Sequence, residues 1–354
     1  MRVFHSETHL LHQPAGELHG GRIVAPFETG ERITRMLDAL RAFEVVTLAE
    51  PERFGLGPVL DVHDADYVDF LQTCWRDWKA LGHEGDAIAI CWPTRTMTST
   101  RVPESIQGKL GFYALGTDTM ITEGTFAAAE GSSDIALSAT KDVLSGTRFA
   151  VGLCRPPGHH AAHDQFGGYC FFNNAAIAAE YARKNAASRI AIFDVDFHHG
   201  NGTQSIFYDR DDVLFVSIHG EPQNAFPFFL GYADETGSGR GEGFNLNLPL
   251  PRGTTAAQWM QAFDTAAARI ADFAPDLLIV SLGVDTHEDD PISFFRFGTK
   301  DFTLLGERLG ALGLPVVTLL EGGYHLSTVG ANIANVLRGL MSTQALRPQL
   351  SEAL

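Results

Sequence analysis

Residues 190–204 read IAIFDVDFHHGNGTQ. Asp194, Asp196 and His198 fall at alternate positions, and in an extended chain alternate side chains share a face. They follow an apolar, β-branched run at 190–193 of the kind found in strands buried on both faces. Gly200-Asn201-Gly202 then marks a turn. Two carboxylates and an imidazole left uncompensated at the tip of a buried strand are costly. A bound cation is the simplest compensation; a helix cap with a surface histidine is the plainer alternative. Asp285, which follows a second apolar run at 277–282, completes a set of three N/O ligands with Asp196 and His198. A catalytic metal site takes three protein ligands and keeps one position open. This oxygen-rich set suits Zn²⁺, and Fe²⁺, Co²⁺ or Mn²⁺ are compatible by ligand type.

Two further groups supply chemistry that such an ion needs. His159 and His160 follow Pro156-Pro157-Gly158, a stiff approach that fixes where the rings point. A water attacking a carbonyl needs a base, and a departing amine needs an acid. Adjacent histidines with different partners can divide those roles, with Asp194 and Asn201 as the groups that orient them. Tyr324 follows Gly322-Gly323, which lets the chain turn and aim a phenol at a developing oxyanion. The whole set reads as metal-assisted hydrolysis of an amide or similar carbonyl.

The elements that must position these residues can be read from periodicity. Apolar runs at 148–153, 190–193, 213–218, 277–282 and 315–320 read as strands. Helical patterns at 174–184, 255–273, 303–312 and 329–340 alternate with them. A short strand over 1–4, a helix bearing Ile33, Met36, Leu37 and Leu40, and a helix capped by Asp66 precede a helical stretch near 113–146. The alternation predicts an α/β fold: a central, mostly parallel sheet with helices on both faces. Sites in such sheets form beyond the carboxyl ends of the strands. His159 and His160, the Asp194–His198 set, Asp285 and Tyr324 each follow a predicted strand. Residues 81–112, with two prolines and no period, read as a long functional loop, a lid or an oligomer contact. No repeat or linker divides 1–354, so the chain is expected to form a single catalytic domain carrying that insertion.

The chain has 354 residues, 45% of them hydrophobic, enough for a large core, and a formal net charge of −17. The acidic balance argues against nucleic acid as a partner. Four cysteines form no C-x-x-C pair, and no apolar run is long enough to span a membrane. With no secretory signal pattern at the N-terminus, the expected compartment is the cytoplasm.

RPPGHHA (155–161), DVDFHHGNGTQ (194–204), SLGVDTHEDDP (281–291) and EGGYH (321–325) together resemble the histone deacetylase family. ELHGG (17–21), the stretch around RVPESIQG (101–108) and AFPFFLGYADETG (225–237) resemble its bacterial acetylpolyamine amidohydrolase branch. The resemblance implies an arginase/deacetylase-like fold with one Zn²⁺ per chain on Asp196, His198 and Asp285. It implies His159 and His160 as the acid/base pair, oriented by Asp194 and Asn201 respectively, and Tyr324 as the carbonyl-polarising group. Tyr169 and Phe226 match aromatic walls that sandwich a slim acylated chain. A structural K⁺ near Asp194, Asp196, His198 and Ser217 is also implied, as is a homodimer built through 81–112. The expected substrate is an acetylated polyamine or a similar small cationic amide.

Three positions depart from that branch. Gln107 stands where an acidic residue is expected, Asp118 stands for Glu, and His287 replaces an apolar side chain. Glu17, Glu104 or Asp118 remain as candidate contacts for a substrate ammonium. Protein acetyl-lysine is the alternative substrate. A binuclear ureohydrolase would want a ligand where Gly200 stands, leaving His287 as its only hint. A non-catalytic scaffold would be expected to lack a ligand or the tyrosine, and all are present.

Overall fold

Strand residues alternate between two apolar layers. In the central strand, Ile190 and Ile192 enter one layer while Ala191 and Phe193 enter the other; Leu277 and Ile279 separate from Leu278 and Val280 in the same way. This period of two, buried on both sides, is what a parallel sheet between helices demands. The structure is a computed structural model and describes residues 1–43 and 46–344.

The strands in chain order are β1 (Arg2–Phe4), β2 (Glu17–His19), β3 (Arg22–Val24), β4 (Thr47–Ala49), β5 (Phe149–Gly152), β6 (Ile190–Asp194), β7 (Val213–Gly220), β8 (Asn245–Leu250), β9 (Leu277–Leu282) and β10 (Val316–Leu320). The helices are α1 (Gly30–Arg41), α2 (Gly57–Leu60), α3 (Ala65–Ala80), α4 (Ile106–Tyr113), α5 (Thr125–Leu144), α6 (Asn174–Asn185), α7 (Asn201–Phe207), α8 (Ala256–Phe273), α9 (Asp301–Ala311) and α10 (Val329–Ser342). Eight strands form one sheet in the order β4-β1-β5-β10-β9-β6-β7-β8, and each ladder within it is parallel. Helices α5 and α6 pack on one face through Ile135 and Ile177. Helices α1, α8, α9 and α10 pack on the other through Ile33, Phe263, Leu305 and Val336.

The order places four strand tips side by side. Leu319 pairs with Gly152, Leu320 with Leu282, and Asp194 with Ser281. The loops leaving β5, β10, β9 and β6 therefore emerge at one edge, as the sequence predicts, and these four strands carry the candidate site.

The differences are local. Edge strand β8, NLNLPL, contains Pro249, which reads against a strand but is tolerated where one side of the ladder is unpaired. Glu17–Val24 is an antiparallel hairpin that no periodicity in the sequence marks; Gly20 and Gly21, at φ +56° and +76°, make its two-residue turn. The 81–112 segment is irregular only until Ser105, after which α4 runs from Ile106 with Leu110 and Tyr113 in the core. The helix expected near 113 begins only at Thr125, and Asp64 rather than Asp66 precedes α3.

Candidate active site

Beyond β6 the chain folds back on its own carboxylates. Asp194 Oδ1 accepts the Asp196 N–H (3.1 Å), and Asp196 Oδ1 accepts the His198 N–H (2.8 Å). Asp285 Oδ1 accepts the Phe197 N–H at 2.9 Å, and Gly322 N donates to Asp196 Oδ2 at 2.7 Å. Asp194 and Asp196 are thus aimed by amides of their own loop, Asp196 also by the loop after β10, and Asp285 by the loop after β6. His198 Nδ1 lies 3.0 Å from Asp285 Oδ2 and 3.3 Å from Asp196 Oδ1. One ligand atom each of Asp196, His198 and Asp285 fall within 4.8 Å of one another, all three residues buried.

The electrostatics are those of a crowded anionic site. Burial and the nearby Asp196 charge push Asp285 up to about 8. Asp196 is held far below the usual carboxylate range: burial opposes this, but the His159 and His198 rings outweigh it. Burial also opposes charge on His198, yet hydrogen bonds and charge from Asp196 and Asp285 raise it to about 10. Two buried carboxylates and one imidazole converging on a shared point are the donor set of a divalent cation, so the residues fit the expected ion. The glycines agree. A Cβ on Gly283 would lie 2.1 Å from Asp196 Oδ2, and one on Gly322 would lie 2.6 Å from both Asp196 Oδ2 and Asp285 Oδ2.

The two histidines have different partners. His159 Nδ1 donates to Asp194 Oδ2 at 2.9 Å, whereas His160 Nδ1 meets the amide oxygen of Asn201 at 2.7 Å. Burial penalises charge on His159, but Asp194, Asp196 and Glu321 more than offset it and raise the ring to about 10. Burial, then the neighbouring His159 and His198, push His160 well below its ordinary value. The two rings are therefore driven apart, His159 toward its charged form and His160 toward its neutral form. The amide N–H groups of Gly158 and His159 both donate to Glu321 Oε2, at 2.6 and 3.1 Å, tying the histidine loop to the tyrosine loop.

Tyr324 is held from behind. Arg32 on α1 donates from Nε to the Gly323 carbonyl and from Nη2 to the Glu321 carbonyl, both at 2.6 Å, and its guanidinium lies 4.8 Å from the Tyr324 ring centre. Glu28 carries the charge balance, with Oε1 bonded to Arg32 at 2.9 Å and Arg155 at 2.8 Å. Asp290 Oδ2 accepts the Tyr324 N–H at 2.7 Å. Burial keeps the phenol protonated, well above its ordinary value.

These groups face a cleft of about 520 Å³ lined by His160, His198, Tyr324, Tyr169 and Phe226, with Glu17, Asp118 and Arg252 among its other residues. The Phe226 ring stands at 90° to His160 with centroids 5.0 Å apart. Tyr169, at φ +67°, is fixed by its hydroxyl to Glu17 Oε1 (3.0 Å) and by its amide to Thr119 (2.7 Å). Asp118 Oδ2 accepts the Gly168 N–H at 2.8 Å. Glu17 and Asp118 thus reach the cleft and also brace its aromatic wall. Glu104 is exposed on the 81–112 segment, outside the cleft of this chain. Sequence reasoning overlooked Glu28, Arg32, Arg155, Asp290 and Glu321. Three of these, Arg155, Asp290 and Glu321, lie inside the quoted motifs, but nothing local marks Glu28 or Arg32.

A sequence profile for the histone deacetylase domain matches residues 26–340. The chain is 48% identical over 340 residues to the acetylpolyamine amidohydrolase of Mycoplana ramosa, covering 96% of this chain and 99% of that protein. It is 48% identical over 339 residues to acetylpolyamine amidohydrolase 2 of Pseudomonas aeruginosa, covering 96% and 98%. The crystal structure of acetylpolyamine aminohydrolase from Burkholderia pseudomallei matches with a TM-score of 0.92 at 39% identity, covering 97% of this chain and 99% of that one. The HDA15 HD domain matches at 0.79 and 27%, covering 97% and 90%.

Proposed function

Since the chain belongs to the histone deacetylase family, we propose that it removes acetyl groups from acetylated polyamines or similar small cationic amines. The observation that carries this reading is the meeting of Asp196, His198 and Asp285 with a neutral histidine and a buried phenol on one cleft whose wall bears two carboxylates. Asp196, His198 and Asp285 would hold one divalent ion, Zn²⁺ by donor type. When bound it supplies Lewis acidity, polarising the amide carbonyl and making water a better nucleophile.

The remaining work falls to the side chains. His160 donates Nδ1–H to Asn201, which leaves the Nε2 lone pair for the proton of the attacking water. The same nitrogen then returns that proton to the departing amine, which would otherwise leave as a poor amide anion. His159, kept cationic by Asp194, supplies fixed positive charge beside the developing oxyanion. The Tyr324 hydroxyl, protonated throughout, donates to that oxyanion. Tyr169 and Phe226 admit a slim chain, and Glu17 and Asp118 favour one that ends in an ammonium.

Exposed Ile90, Met97 and Val102 on the 81–112 segment support a homodimer through that region. A structural K⁺ near Asp194, Asp196, His198 and Ser217 and a cytoplasmic setting complete the reading. Among the described residues no helix is long and apolar enough to cross a membrane. The test is a side-by-side assay of N-acetylputrescine, acetylcadaverine, acetylspermidine and an acetyl-lysine peptide. The acetylated amines should be turned over with the higher kcat/KM; preference for the peptide overturns the substrate assignment.

A further inference from the structure

Two other groups of metal-capable side chains converge among the described residues. One, His159, Cys170 and Glu321, shares His159 and Glu321 with the site already described. The other is His287, Asp289 and His325, whose ligand atoms, one from each residue, lie within 4.8 Å of one another. It shares no residue with the Asp196–His198–Asp285 set.

The bonding around each ring leaves one nitrogen able to bind an ion. His287 Nδ1 accepts the Asp289 N–H at 3.1 Å and sits 3.9 Å from Asp289 Oδ2. An accepting Nδ1 carries the lone pair, so the proton is on Nε2, which meets Thr299 Oγ1 at 3.2 Å. On the other side, Thr328 Oγ1 donates to the His325 carbonyl at 3.4 Å and lies 3.1 Å from His325 Nδ1. Asn332 Nδ2 donates to the same hydroxyl oxygen at 3.4 Å, and in the tautomer in which that oxygen also accepts the His325 Nδ1–H, the other His325 nitrogen keeps its lone pair. A metal-ligating histidine commonly donates its second N–H to a neighbouring oxygen that fixes tautomer and orientation. The His287 ring does so to Thr299, and the His325 ring meets Thr328 in the same way. They lie nearly parallel, 17° apart with centroids 6.0 Å apart, and His287 stacks in turn on Phe302 at 12°. His287 is buried and Asp289 is exposed, so the carboxylate forms the entry side.

We infer that His287, Asp289 and His325 form a second divalent-metal site, with two imidazoles and one carboxylate suited to Zn²⁺, Co²⁺ or Ni²⁺. An ion there displaces the Asp289 N–H from His287 Nδ1 and completes its shell with water. Its position gives it a role. His287 and Asp289 follow Asp285 on the loop after β9, and His325 follows Tyr324 on the loop after β10. Those loops are already joined by the Tyr324 N–H to Asp290 bond of 2.7 Å. The ion adds a second clasp between the loop that carries a proposed catalytic ligand and the loop that carries the phenol. The inference does not depend on the substrate reading.

The test is equilibrium dialysis of the tag-free chain against rising free Zn²⁺, with metal per chain and the thermal unfolding midpoint read on the same samples. Wild type should bind two ions per chain, with a rise in midpoint as the second site fills. His287→Phe, which keeps an aromatic ring against Phe302, and His325→Ala should each bind one and lose that rise. Asp285→Ala should lose the other ion and keep this one. One ion per chain in wild type, or two in either histidine variant, overturns the site. Since the two histidines lie on separate loops, either folded variant suffices to decide.

Discussion

Replacing Gly322 with alanine perturbs the proposed metal set without substituting a ligand. A Cβ there would sit 2.6 Å from Asp196 Oδ2 and from Asp285 Oδ2, where ordinary contact begins near 3.4 Å. The difference, about 0.8 Å, must be made up by both carboxylates at once. Neither is free to swing: Asp196 is pinned by the amides of His198 and Gly322, and Asp285 by that of Phe197. Gly322 does not occupy the left-handed region, so the effect is not one of backbone strain. Misaimed ligands of this kind cost roughly 10–100-fold in metal affinity, and displacement by about 1 Å can cost some 10²-fold in turnover. Gly322→Ala should therefore bind Zn²⁺ about 10–100-fold more weakly in chelator competition and deacetylate N-acetylputrescine poorly. Gly57→Ala, whose Cβ meets nothing within 4 Å, should do neither. Wild-type Zn²⁺ affinity in Gly322→Ala would refute the claim that these two carboxylates converge on one ion.

Further outcomes follow from the same geometry. Tyr324→Phe should retain metal and KM but lose about 10²–10³ in kcat, the usual cost of one oxyanion donor, read by steady-state kinetics beside metal analysis. In the metal-free protein Asp285 and His198 are both raised, Asp285 by burial and the Asp196 charge and His198 by its bonds to Asp196 and Asp285, so an ion must displace at least one proton as it binds. Zn²⁺ affinity should thus fall with falling pH by about a decade per unit or more, measured by competition across pH 6–8. Glu28→Gln leaves Arg32 and Arg155 buried and unbalanced and should cost about 3–5 kcal/mol in denaturant unfolding. Burial acts to raise the Glu28 carboxyl, but Arg155 and Arg32 hold it below its ordinary value. Its contribution is therefore complete above the unfolded pKa and lost as pH falls through the lower folded value, so the variant's deficit should shrink in acid.

The strand tips were legible because each carries a dense local signature. An apolar run of four to six residues ending in Asp-x-Asp-x-His, Gly-Val-Asp or Glu-Gly-Gly-Tyr announces both a buried strand and the chemistry at its end. β9 runs over the residues that periodicity predicts, and β6 extends by one, to Asp194. What was not legible is held by contacts distant in sequence. Arg32 reaches Gly323 across 291 residues, and its partner Glu28 sits in a stretch with no period. β8 was hidden by Pro249, whose tolerance depends on an edge position that only the assembled sheet defines. Glu17 and Asp118 were expected to meet substrate charge, and both line the cleft. Their bonds to Tyr169 and Gly168 could not be foreseen, because they depend on how the hairpin and the histidine loop meet.

The central claim is that Asp196, His198 and Asp285 hold one ion on which amide hydrolysis depends. Its most direct test is to titrate metal-free protein with Zn²⁺ while following release of acetate from N-acetylputrescine. Turnover should rise linearly and break at one equivalent per chain, and Asp285→Ala should show no rise. Full turnover in the metal-free protein, or an undiminished rise in Asp285→Ala, would contradict the account.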